Sequence, residues 1–89
     1  MANEVYKTPL EFADIVAGAT LTVVDGWKAV EILNSATSTG DITVNFTASG
    51  KSRTIRPGEL LAMSFDGGGG RAFTAAFASG CIGGYTVLN

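Results

Sequence analysis

The 89-residue sequence contains no histidine and no glutamine. Without histidine it lacks the commonest general base, proton shuttle and zinc ligand. No Ser-His-Asp or Cys-His arrangement can be assembled from it, and no catalytic residue, metal site or cofactor is expected. Cysteine occurs once, as Cys81, which excludes an internal disulfide and with it a secreted disulfide scaffold. Charge is sparse at 16% of residues, six basic against eight acidic, net −2. No basic stretch is dense enough to hold nucleic acid. Apolar runs stop at three or four residues, as in Leu60–Met63, against the roughly 20 of a membrane-spanning helix, so no membrane partner is expected. The opening MANEVYKTPLEF has neither a basic n-region nor an apolar h-region, so no secretory signal is expected.

What is present is apolar and punctuated. Hydrophobic types make up 46% of the chain, too many for disorder, and the length suits one domain. A domain of this size has a thin core, and with no disulfide it gains from oligomerising or docking on something larger. Glycine, alanine and threonine supply over a third of the residues. Threonine, valine and isoleucine favour strands, and glycines at intervals of roughly ten residues separate them, as in a sandwich or barrel.

Period-two alternation marks the strands. In Asp41–Thr47, Ile42, Val44 and Phe46 point one way, and Thr43, Asn45 and Thr47 the other. Ala29–Asn34 sets Val30 and Ile32 against Glu31. Ala19–Val24, Ser52–Ile55, Glu59–Phe65, Arg71–Phe77 and Ile82–Leu88 complete the set. The expected fold is all-β: a small antiparallel β-sandwich, jelly-roll-like, with at most one short N-terminal helix. Its expected core is Val30, Ile32, Ile42, Val44, Phe46, Leu61, Met63, Phe65, Phe73, Phe77, Ile82 and Val87.

Residues 27–89 form the sandwich core in this reading, and residues 1–26 an N-terminal arm or additional strands. Thr8-Pro9-Leu10-Glu11 has the form of a helix start, with Gly18 as a C-terminal cap. The β-branched Ile15 and Val16 favour an extended arm instead, and the sequence leaves both open. Asp25-Gly26, Ser49-Gly50-Lys51 and Arg56-Pro57-Gly58-Glu59 are turn signals that look like hairpin connections. Asp66 with Gly67–Gly70 reads as a loose loop tip.

Most chemical motifs dissolve on inspection. Gly67, Gly69 and Ala72 match G-x-G-x-x-A, but a strand follows where a dinucleotide site needs a helix. Asn45-Phe46-Thr47 is a glycosylation sequon in mid-strand. Asp25, Asp41 and Asp66 sit in turns, where aspartate bonds its own backbone, and they lack calcium-loop spacing. Lys51, Arg53 and Arg56 cluster on one hairpin, either as a solvated face or as a contact to an acidic neighbour. Trp27 either caps the core or anchors an interface, where tryptophan is enriched. Cys81 reads as a small buried residue.

From Trp27 to Asn89 the order of elements resembles the small β-sandwich proteins of tailed-phage virions, of the head decoration or cement and fibre or spike-base type. AVEILN, a polar turn and DITVNF are followed by Thr54-Ile55-Arg56-Pro57-Gly58-Glu59, an apolar strand and a glycine tip. The resemblance implies a homo-oligomer, commonly a trimer, made in the host cytoplasm and held on the virion by a larger structural protein such as a major capsid protein. The expected function is thus a non-enzymatic structural protein that docks on the capsid or tail and stabilises it. Tyr6, Leu10, Phe12, Trp27, Lys51, Arg53 and Arg56 are the candidate interface residues. The alternative is a free-standing carbohydrate- or ligand-binding β-sandwich module, for which Trp27, Tyr6 and Tyr85 are the few amphipathic aromatics.

Overall fold

The alternating segments form eight strands in a computed structural model that describes residues 9–65 and 69–88, with side chains from residue 13 onward. They are β1 (Pro9–Asp14), β2 (Thr20–Val23), β3 (Ala29–Asn34), β4 (Ile42–Phe46), β5 (Lys51–Ile55), β6 (Leu60–Ser64), β7 (Phe73–Phe77) and β8 (Gly83–Leu88). Sheet A has the order β1-β8-β3-β6 and sheet B the order β2-β7-β4-β5. Every pairing is antiparallel. The first strand pairs with the last, the second with the seventh, the third with the sixth and the fourth with the fifth. This is one long hairpin, with β4–β5 at its tip, folded over on itself: an eight-stranded jelly roll.

The strand bounds follow the alternation, but the connections do not. Only β4 and β5 are consecutive and hydrogen-bonded in one sheet, through the turn where the Gly50 N–H donates to Phe46 O. The turns at Asp25–Gly26 and Arg56–Glu59 carry the chain from one sheet to the other, so they are not the hairpins expected. Turn residues report a reversal of direction and not the partner of the next strand.

No helix forms among the described residues. Pro9–Asp14 is instead an edge strand, with Phe12 opposite Thr86 and Ala13 opposite Tyr85. A two-turn helix is marginal in water, whereas an extended segment gains a ladder along β8, broken only by an irregularity between Pro9 and Glu11. Gly18, at φ 82°, turns β1 into β2, and its N–H donates to Phe77 O. Residues 9–14 and 20–23 are therefore strands of the sandwich, the second of the two readings of this segment; residues 1–8 lie outside the description. Removing residues 1–12 would strip most of an edge strand from sheet A.

The inner faces hold Ile32, Ile42, Val44, Phe73, Ala75 and Val87, all nearly inaccessible, with Trp27 closing one end. Leu21, Val23, Ile55 and Cys81 join them. Two expected core residues do not: Phe65 is 45% and Ile82 54% exposed. Both lie just beyond strand ends, where the alternation no longer fixes the side-chain direction. Phe46 and Met63 pack on the core only half-buried. Phe46 touches Phe73 with centroids 5.9 Å apart. Phe46→Ala is therefore expected to cost about 1.5 to 3 kcal/mol, below the 3 to 5 of a fully buried aromatic. Urea unfolding checks this, and a loss near zero would contradict the inward register.

Two buried polar residues stitch the ends of the sheets. Asn34 Nδ2 donates to Gly40 O at 3.0 Å and to Ile55 O at 2.9 Å, while its Oδ1 is buried without a protein partner. Ser38 Oγ donates to Ile82 O and accepts from the Ile82 N–H.

Candidate functional site

β5 and β6 are edge strands on the same side of the sandwich, one in each sheet. The register sets Lys51 opposite Phe46, Arg53 opposite Val44 and Ile55 opposite Ile42. Residues opposite one another share a face, so Lys51 and Arg53 stand in the core-facing row of β5. Only Ile55 of that row is buried. Two long cationic side chains in a core-facing row keep their heads in water, and inward-pointing charge on an edge strand discourages pairing with another chain.

Between the sheets at this corner lies a cleft of about 410 Å3. Its apolar walls are Phe46, Met63 and Phe65, with Trp27 beneath. Lys51 and Arg53 line one side, and Arg71 contributes a third cation. No carboxylate lines it among the described residues.

Trp27 is held from three directions. Its Nε1–H donates to Arg71 O at 2.8 Å. Its ring meets Phe65 edge-on at 5.1 Å and Phe73 at 5.8 Å between centroids. Gly70 lies against its face: the Gly70 N–H donates to Trp27 O, and a Cβ on Gly70 would come 2.0 Å from Trp27 Cε2. Gly69 is pressed on Gly26, where a Cβ would come 2.6 Å from the Gly26 Cα. The loose tip expected for Gly67–Gly70 is thus wrong for its last two residues, which are packed; Gly67 and Gly68 lie outside the description. The Asp25 carboxylate accepts the Ala72 N–H across the same junction.

The candidate interface residues separate. Trp27 is 2% exposed, which corrects its reading as a surface anchor and leaves the core cap. Lys51 and Arg53 come together at the cleft, whereas Arg56 sits in the turn beyond β5 and does not line it. Leu10 and Phe12 fall on β1, their side chains outside the description, as is Tyr6 altogether. Arg71, Met63 and Phe65 belong to the cleft and were not foreseen there. Cys81 is buried, and its Sγ–H donates to Asp41 O. No group of three acidic, histidine or cysteine residues among the described residues could hold a metal ion.

The outer faces of the two sheets differ in chemistry. On sheet B the aligned rows are Thr20, Ala76, Thr43 and Thr54, then Thr22, Thr74, Asn45 and Ser52, without a charge. On sheet A, Leu33 lies directly opposite Leu60, 44% and 53% exposed. Ala29, Ala62 and Leu88 extend that face, and Glu31 brings its one charge on β3.

No protein-family model matches the chain, and no curated protein matches it either. Among solved structures it is similar to protein NMB1881 from Neisseria meningitidis, at 21% identity and a TM-score of 0.46, over 98% of this chain and 88% of that one.

Proposed function

We propose that this chain is a non-enzymatic structural protein of a tailed-phage virion, which docks on a capsid or tail protein and stabilises it as a decoration or cement subunit, itself a homotrimer. It is made in the host cytoplasm and resides on the particle. The jelly roll is compatible with that role but hosts many others. The observation that carries the reading is the Leu33–Leu60 pair on the outer face of sheet A. Covering apolar side chains on a solvent-facing row gains free energy, and contiguous exposed apolar surface marks interaction sites. A thin, disulfide-free core gains from covering it.

Mass in solution tests this. The wild-type chain is expected to run as a trimer. Leu33→Lys combined with Leu60→Lys should give a monomer with unchanged β-type circular dichroism, because neither side chain enters the core. A wild-type chain that stays monomeric, with the double variant unchanged in mass and solubility, would overturn the reading.

A further inference from the structure

The β5–β6 cleft lies on an open corner of the sandwich, away from the outer face of sheet A, and the docking role makes no use of it. Its size falls within the range of small-molecule sites, about 300 to 1,000 Å3. Its composition is selective. The walls are aromatic and thioether, suited to a flat apolar body. Among the described residues the charged side chains that line it are Lys51, Arg53 and Arg71, all of one sign. Such cations raise the local concentration of anions and form charge-assisted hydrogen bonds to oxyanions.

The site is also preorganised from below. Trp27 is held by its hydrogen bond to Arg71 O and by the two edge-on rings. That same bond ties the backbone of Arg71 to the cleft floor. Phe65, whose N–H donates to Lys28 O, holds its half-exposed ring over Trp27. A rigid apolar floor beneath a cationic side needs little rearrangement on binding, which lowers its cost.

From this juxtaposition we propose that the cleft binds a small amphiphilic anion: an aromatic or short alkyl body between Phe46, Met63 and Phe65, with its carboxylate, sulfonate or phosphate head on Arg53, Lys51 and Arg71. This goes beyond the docking role, and the two can fail separately.

The indole N–H of Trp27, the sole tryptophan, is a single resolved reporter at the site in a proton–nitrogen correlation spectrum. Naphthalene-2-sulfonate serves as the probe, with 2-naphthylmethanol and inorganic sulfate as its two halves. The sulfonate should shift the indole signal and those of residues 51–53 saturably, and added salt should weaken it. Each half alone should bind at least about tenfold more weakly. Arg53→Glu and Phe65→Ala, both at exposed positions, should each weaken the sulfonate about tenfold or more. Arg56→Glu makes the same charge change outside the cleft and should leave binding within about twofold. Equal binding of sulfate and sulfonate would mean an adventitious ion only and would overturn the proposal. So would equal binding of the neutral alcohol, an Arg56→Glu effect as large as that of Arg53→Glu, or no saturable shift.

Discussion

Gly70→Ala is expected to destabilise the protein by about 3 kcal/mol or more, at the upper end of what overpacking costs. The added methyl would stand 2.0 to 2.4 Å from three atoms of the Trp27 indole, well inside contact distance. Neither side can give way cheaply. The indole is pinned between Phe65 and Phe73 and by its bond to Arg71 O. The glycine is pinned by a reciprocal backbone pair, its N–H to Trp27 O and its carbonyl to the Gly26 N–H. Against a total stability of about 5 to 15 kcal/mol, such a loss is large. Trp27→Ala alone should cost about 3 to 5 kcal/mol. The double variant should lose clearly less than the sum, since each change removes the other's clash or gap. Urea midpoints of the four proteins measure this. A near-neutral Gly70→Ala, or strict additivity, would refute the contact.

Asn34→Leu is expected to lower stability by about 2 to 4 kcal/mol, although the side chains are similar in size and the site is fully buried. The amide gives both its N–H groups to main-chain carbonyls, one before β4 and one at the end of β5. A leucine leaves both acceptors without a donor, at about 1 to 3 kcal/mol for each stranded group. Asn34→Asp should be worse still at neutral pH, because it sets an anionic oxygen against two carbonyl oxygens. Thermal melting reads the outcome, at about 4 to 8 °C per kcal/mol for a domain of this size. A leucine variant that melts like the wild type would show that those carbonyls find other donors.

Asn34 also marks how far the sequence could be read. AVEILN announced a strand, and Val30 and Ile32 its inner face, because alternation is a local property. Asn34 continues the same inner row, but its donors act on residues 6 and 21 positions away, which no period reveals. Leu33 was equally legible as an outward residue: it shares its parity with Glu31, and an apolar side chain there was the available signal for the sheet A face. Trp27 could not be placed, since it precedes β3 and its environment comes from Phe65, Gly70 and Phe73. The cleft depended on Lys51 and Arg53 occupying core-facing positions. Their alternation with Ile55 was visible, but the sheet separation that leaves them wet was not. Residues 9–14 stayed open between helix and extended segment, because capping chemistry at Thr8–Glu11 is local and the place beside β8 is not.

The last of the described strands, β8, lies in the interior of sheet A, between β1 and β3. While the chain emerges from the ribosome, sheet A therefore has no centre until residues 83–88 are free, and β1 has nothing to pair with. The β4–β5 hairpin can form early, but closure waits on β8, and such long-range pairing is slow. During that interval Val30 and Ile32 stand on an open edge and are prone to sticking to other nascent chains. A chain cut before residue 83 would thus leave sheet A without its centre, and β1 and β3 without a shared partner.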